Sequence, residues 1–369
     1  MNVLVAGDSF KGSLTSKEFT YITASVLQEN GINAKALPLS DGGEGALEVL
    51  TDILGGEIIE IPVLNGILRE TSAKIGKSGN TYIIESAQAV GLPELGDNKD
   101  ILASSSYGVG QMISYALDHL ANKIYLTIGG TSCNDGGAGM LCALNVKFYN
   151  ENNNEFIPQA KNLSDTSKID FSSIHSQLKN CEIIVLSDVT NPLLGKNGAT
   201  YVYGPQKGGD EITIPVIEDN IKHFANIISN VTGQDHRNNL GAGAGGGIGF
   251  SAMYLNNVKF LNGADEILKL ADFDKYLEWA DLVITGEGKF DNQSFMGKIC
   301  GRIITASKDK KVGIICGISS LTDDASKYNL TFINEIGRGK TDPIGQAKKH
   351  LTDEVQSLAK RIYEMRIIK

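Results

Sequence analysis

Seven short segments of this chain are rich in glycine, and most also carry carboxylate or lysine side chains. They are DSFKGS at 8–13, SDGGEG at 40–45, GGTSCNDGG at 129–137, SDVTNPLLG at 187–195, GPQKGG at 204–209, GAGAGGG at 241–247 and TGEGKFDNQS at 285–294. Several follow directly on an apolar, β-branched run, and open α/β folds build their ligand crevices at the carboxyl ends of strands. Glycine lets backbone N–H groups approach a bound anion. Carboxylates beside such loops suit Mg²⁺, which is usually held together with substrate phosphates. The pattern points to phosphoryl transfer on a small polar substrate.

The elements that must position these loops can be read from periodicity. NVLVA at 2–6 reads as a first strand, 16–28 as a helix, 33–39 as a second strand and 46–53 as a second helix. The same grammar returns late in the chain: a strand at 281–285 runs into the GEGKFD loop, a helix covers about 301–308, strands follow at 311–317 and 330–336, and a closing helix covers 342–366. Two strands from the start and three from the end would complete a five-stranded parallel sheet. Between them, 55–87 reads as three closely spaced strands of antiparallel style, followed by a helix near 109–120 and further strands ending in LTIG and VLSD. The expected fold is α/β in two domains. A flavodoxin-like parallel domain (1–55 with 276–369) carries a second, mixed α/β domain (56–275) inserted into it, with the active-site cleft between them.

Composition narrows the function. A chain of 369 residues exceeds one ordinary core. The net charge of −9 and the lack of a lysine- or arginine-rich block with interleaved aromatics argue against nucleic acid. No apolar run approaches a membrane span, and the N-terminus reads as a strand, not a signal peptide. The five cysteines, Cys133, Cys142, Cys181, Cys300 and Cys316, are odd in number and widely spaced, as expected of free thiols in a cytoplasmic protein without a zinc site. His119, His223 and His350 lie in helix-like segments and read as solvated or capping groups. Two nucleotide motifs are imperfect. GRGKT at 337–341 resembles the end of a P-loop, but Asn334 occupies the place of its first glycine. Gly241, Gly243 and Gly246 satisfy G-x-G-x-x-G but do not follow a buried strand. Neither G-x-S-x-G nor H-E-x-x-H occurs.

Taken in order, DSFKGS, DGGEG, ESA at 85–87 with Gly91 and Leu92, SYGVG at 106–110, NDGGAGM at 134–140, DVTNPLLG, GPQKG, GAGAGGG and TGEGKFDNQS with Gly297 and Lys298 resemble the bacterial type I, two-domain glycerate kinase family. The similarity runs from about residue 2 to 340. Gly7, Ser40 and Cys300 depart from the usual proline, alanine and proline of the pattern; none of these removes a charged group. The resemblance implies transfer of the ATP γ-phosphoryl group to D-glycerate with Mg²⁺, giving 2-phosphoglycerate and ADP. Alternatives are a 3-kinase, a kinase of another small hydroxy acid, a Mg²⁺-dependent phosphatase, or a protein that senses glycerate without catalysis. The expected partners are small molecules, with no membrane and no nucleic acid.

Roles follow from what such a kinase needs: a cation for the substrate carboxylate, a base, a metal site and phosphate donors. Asp188 is a candidate base or metal ligand, or else an Asx-turn residue before Pro192. Asp291 is the second metal or base candidate. Lys11 is a catalytic candidate that would meet the glycerate carboxylate or a phosphate, with Asp8, Ser9 and Ser13 beside it; alternatively Asp8 or Ser13 is a helix N-cap. Asp41, Gly42, Gly43, Asn134 and Asn191 complete the expected substrate set. Gln206, Lys207, Gly243, Gly245, Gly246, Glu287 and Lys289 form the expected nucleotide set. Lys207 could equally be a solvated turn lysine, and the glycine run could simply permit tight packing.

Overall fold

The structure, a computed structural model, describes residues 1–92, 99–295, 297–321 and 325–367. Its strands in chain order are β1 (Asn2–Gly7), β2 (Asn33–Pro38), β3 (Glu57–Leu64), β4 (Glu70–Ser78), β5 (Thr81–Glu85), β6 (Lys123–Thr127), β7 (Lys147–Tyr149), β8 (Lys168–Asp170), β9 (Glu182–Leu186), β10 (Val258–Leu261), β11 (Leu282–Phe290), β12 (Lys311–Ser319) and β13 (Leu330–Glu335). The chain divides into two compact units, Met1–Val49 with Asn262–Lys369, and Leu50–Leu261.

The first unit is a five-stranded sheet of order β13-β12-β11-β1-β2 with every pairing parallel. Counted within the unit this is the 2-1-3-4-5 order of flavodoxin-like folds, so the expected parallel α/β architecture is borne out. The sheet has a topological switch point between β1 and β11: the chain leaves β1 toward β2 on one side and β11 toward β12 on the other. The helix Ser16–Glu29 follows β1. Thr15 caps it with a capping box, its hydroxyl accepting from Glu18 N at 3.1 Å while the Glu18 carboxylate accepts from Thr15 N at 2.9 Å. Neither Asp8 nor Ser13 is therefore its N-cap. Phe19, Thr23, Ala24 and Leu27 recur at helical spacing on its buried face. They join a core with Val3, Val5, Ile284, Ile315 and the Leu351, Val355 and Leu358 face of the helix Ala347–Ile367.

The strand β11 runs to Phe290, five residues beyond the expected loop start at Thr285. A Cβ at Gly286 would stand 2.1 Å from Ile315 O, so bare backbone is needed there, whereas one at Gly288 would meet Lys11 N at an ordinary 3.4 Å. Gly7, the departure from proline, obeys the same constraint: its Cβ would lie 2.6 Å from the Phe19 ring and 2.9 Å from Gly286 N.

The second unit holds a six-stranded mixed sheet of order β10-β9-β6-β5-β4-β3. β3, β4 and β5 form an antiparallel meander, while β5, β6, β9 and β10 are parallel. The expected mixed α/β character is thus also borne out. Residues 50–55, read from the sequence with the first domain, cluster here. A Cβ at Gly76 would stand 2.1 Å from Thr51 Oγ1, and the Ser78 hydroxyl donates to Leu54 O at 2.6 Å. Residues 262–275, read as the end of the insert, cluster with the parallel unit, where Gly263 packs against Asp41 O. Apolar periodicity cannot report either assignment, because both depend on contacts distant in sequence.

Candidate active site

The sheet order of the first unit dictates where its functional side chains gather. A crevice of about 410 Å³ opens at the carboxyl ends of β1 and β11, at the switch point. Asp8, Ser9, Lys11 and Ser13 line it from the segment after β1, Asp41 from the segment after β2, and Glu287 and Lys289 from β11 itself. Seven residues from three distant stretches of sequence thus face one volume. Glu287 and Lys289, expected on a loop, are strand residues. Gly42 and Gly43 form the Asp41 turn, in which Gly43 N donates to Asp41 Oδ1 at 2.8 Å. Ser13 Oγ donates to Phe10 O at 2.9 Å, which closes the β1 loop.

The crevice is electrostatically divided. Asp8 is buried, and burial together with the Asp41 charge holds its carboxyl well above the usual carboxylate range, opposed by a 2.7 Å hydrogen bond from Ser9 N. Burial also raises the Glu287 carboxyl, with Ser294 and then Lys298 opposing. Lys298 Nζ lies 3.5 Å from Glu287 Oε2. Burial works against its charge, but Glu287 and then Asp291 and Asp41 raise it overall. Asp291 stands apart from the crevice lining. Its Oδ2 is 2.9 Å from Lys289 Nζ and its Oδ1 accepts from Gln293 N at 2.9 Å, and the Lys289 interaction lowers its pKa. Asp291 thus braces a turn, pairs with Lys289 and acts electrostatically on Glu287 and Lys298.

Among the described residues, no group of three or more His, Cys, Asp or Glu side chains is arranged as a metal cage. Mg²⁺ does not require one, since it commonly takes one or two carboxylates with the rest of its shell from phosphates and water. The crevice fits that pattern: Glu287 Oε1 is buried without a hydrogen-bond partner, and the Asp41 charge helps to raise the Asp8 carboxyl. One or two of Asp8, Asp41 and Glu287, which line the same crevice, would be placed to hold such an ion.

The second unit holds the remaining candidates in or against the segments after β6 and β9. Asp188 is exposed just beyond β9. Next to it the Ser187 hydroxyl accepts from Val189 N at 3.2 Å. Burial and then the Asp188 charge raise the Tyr203 phenol, whose hydroxyl donates to Asn191 Oδ1 at 2.9 Å; Asn191 Nδ2 donates to Asn197 O at 2.8 Å. Gln206 is exposed. Lys207 is not a solvated turn residue: it is 4% exposed, and its Nζ donates to Cys133 O at 2.7 Å. Burial lowers its pKa, partly offset by Cys133 and Asp135. Asn134 is fully buried, with Nδ2 donating to Thr200 Oγ1 at 3.0 Å and Oδ1 unpartnered. The glycine run packs tightly. Added Cβ atoms would stand 2.3 Å from Pro192 O at Gly243, 2.8 Å from Ile128 O at Gly245 and 2.0 Å from Cys133 O at Gly246.

Three features escape the sequence reading. Lys298 is visible there only as part of a Gly-Lys pair before an apolar helix; its pairing with Glu287 is tertiary. Asp135 is an anchor, accepting from Ser106 N and Oγ at 2.7 and 2.9 Å and from Gly139 N and Gly137 N at 3.0 and 3.1 Å. Burial raises its pKa against those bonds. The apolar wall of the crevice (Ile318, Ile336, Pro343 and Ile344) carries no sequence signal, because such residues at strand ends read as core.

A parallel α/β unit with an ionic crevice at its switch point, joined to a mixed α/β unit, has the form of an enzyme acting on a small polar ligand. The profile of the glycerate kinase family matches residues 3–367, and the chain belongs to that family. It is 34% identical to the glycerate kinase of Bacillus subtilis (strain 168) over 98% of this chain and 97% of that protein. It is 35% identical to the glycerate 2-kinase of Escherichia coli (strain K12) over 95% and 97%. A crystal structure from Salmonella typhimurium LT2, of a protein assigned as glycerate kinase 2, superposes with a TM-score of 0.85 at 30% identity, covering 99% of each chain. Membership makes this chain a phosphotransferase of the glycerate kinase class, and a kinase family implies ATP as donor.

Proposed function

We propose that this protein transfers the γ-phosphoryl group of ATP to D-glycerate, with Mg²⁺, and that the product is 2-phosphoglycerate. The observation that carries this reading is the convergence of Asp8, Asp41 and Glu287 with Lys11, Lys289 and Lys298 on one crevice, in a chain 35% identical to a glycerate 2-kinase. Lys11 and Lys298 supply cations for a carboxylate or phosphate, and Lys289 supplies a third. Mg²⁺, when bound, would neutralise phosphate charge and steady the developing charge of the transferred group.

Asp188 and Asp291 stay candidate base or metal ligands, and Asn134, Asn191, Gln206, Lys207 and the glycines Gly243, Gly245 and Gly246 stay candidates for substrate or nucleotide contact. Both groups of residues are proposed to be needed for turnover. Five free cysteines, four of them buried, support a reducing, cytoplasmic setting. Among the described residues no helix is long and apolar enough to cross a membrane.

The test is incubation with ATP, Mg²⁺ and D-glycerate, with products resolved by phosphorus NMR. A 2-phosphoglycerate signal is expected. A 3-phosphoglycerate signal would overturn the regiochemistry and keep the kinase; glycerate binding without any product would overturn the reaction. Asp188→Asn is expected to fold and to lose turnover at least about a hundredfold. Near wild-type turnover would remove Asp188 from the mechanism.

A further inference from the structure

The crevice of the parallel unit has a second half that glycerate does not explain. Besides the charged groups, its lining includes Ile318, Ile336, Pro343, Ile344 and Ala347. Every carbon of glycerate bears oxygen, so the molecule has no apolar face to lay on such a wall. The volume of about 410 Å³ falls in the range of pockets that hold whole cofactors or drug-sized ligands. Ile318 is 44% exposed and Ile344 is 62% exposed. Single exposed aliphatics are ordinary, but here two large ones border the same cavity, and covering them would recover hydrophobic free energy in proportion to the area removed from water.

The wall is built before any ligand arrives. Gly337 N donates to Gly317 O at 2.8 Å, joining the ends of β13 and β12. A Cβ at Gly317 would stand 2.4 Å from Gly288 O, and one at Gly337 would stand 2.8 Å from Gly317 O, so three strand ends meet as bare backbone beneath the cavity. Arg338 ties the edge by donating to Ser319 O and to Glu335. Asp342 Oδ1 accepts from Gly345 N at 2.9 Å, bracing the turn that presents Pro343 and Ile344. A preformed apolar surface costs little ordering on binding.

We infer that this wall seats the purine base of the nucleotide, with the base against Ile318 and Ile344 and the phosphates directed toward Lys289 and Lys298 in the ionic half of the same crevice. The inference rests on the reading of ATP as donor. It moves the base away from the GAGAGGG run, whose glycines are used in packing against Ile128, Cys133 and Pro192. The nucleotide set read from the sequence would then divide: Glu287 and Lys289 remain beside the nucleotide, and the glycine run supports its own unit.

The test is calorimetric titration of the full chain, wild type, Ile344→Asn and Ile318→Ser, with ADP and separately with inorganic pyrophosphate, which has no base. Both substituted side chains are substantially exposed, and a thermal melt of each variant checks its fold. The expected result is at least about a tenfold weaker Kd for ADP with pyrophosphate affinity unchanged, and a raised KM for ATP with the KM for glycerate unchanged. Unchanged ADP affinity in both variants overturns the inference, as does a rise in the KM for glycerate alone, which would assign the wall to the acceptor. A wild-type protein that binds ADP in this variant-sensitive way yet does not phosphorylate glycerate would sink the proposed reaction and leave the base site standing.

Discussion

Replacing Asp8 by asparagine should make the protein more stable and less active, and the size of the gain should depend on pH. Asp8 is 7% exposed, accepts a 2.7 Å hydrogen bond from Ser9 N, and shares its surroundings with the Asp41 and Glu287 carboxylates. Its charge is therefore short of partners. An amide of nearly the same shape carries no charge to desolvate and can donate to the neighbouring carboxylates. Relief of a buried, under-satisfied polar group is about 1–3 kcal/mol. For a unit of roughly 160 residues this is a rise in Tm of about 2–10 °C. The sign follows from linkage. The folded-state pKa of Asp8 is raised, so the stability tied to its protonated form is fully present below the unfolded pKa of about 3.9 and is lost as pH rises through the folded value. The variant does not titrate at this position. Its advantage over wild type should be small at pH 4, grow with pH and then level off. Thermal unfolding followed by circular dichroism from pH 4 to 8 measures this, and turnover should fall at least about a hundredfold in parallel. Mg²⁺ should narrow the gap by stabilising wild type more than the variant. A difference in Tm that is the same at pH 4 and pH 8, or a variant less stable at pH 8, would refute the argument that Asp8 is held against its electrostatic preference for a functional reason.

Lys298→Met removes the cation 3.5 Å from Glu287, which is 7% exposed. Without it Glu287 is harder to ionise, so the loss of stability should be larger at pH 8 than at pH 5, where the carboxyl can take up a proton; equal losses at both would exclude the pairing as the cause. Gly246→Ala forces a Cβ to within 2.0 Å of Cys133 O at a φ of +70°. Strain and overpacking together should cost about 2–5 kcal/mol, readable in urea unfolding, and a neutral outcome would mean that the run is not packed against the loop before Asn134.

Much of this protein is determined locally and is legible in its sequence. Apolar, β-branched runs such as NVLVA and DLVIT must be buried strands. The 3.6-residue recurrence of Phe19, Thr23 and Leu27 makes a one-faced helix, and Thr15 with Glu18 starts it. Clusters of glycine and carboxylate after strands mark the loops where a ligand can approach the backbone, and their order over the whole chain identifies the family. These signals are short-range, since they depend on residues within a few positions of one another. Tertiary structure decided which of those loops meet. Asp8, Asp41 and Glu287 crowd together only because β11 inserts beside β1 in the sheet, 275 or more residues along the chain from its start. It also decided that Glu287 and Lys289 extend a strand, because β11 keeps pairing with β12 through Glu287–Cys316, Lys289–Ile318 and Phe290–Ser319. Lys207 was buried, Asp291 was paired with Lys289, and the GAGAGGG run was brought against Pro192, Ile128 and Cys133. In each case the deciding quantity was burial or distance to a residue remote in sequence, and no residue type or local spacing encodes that by itself.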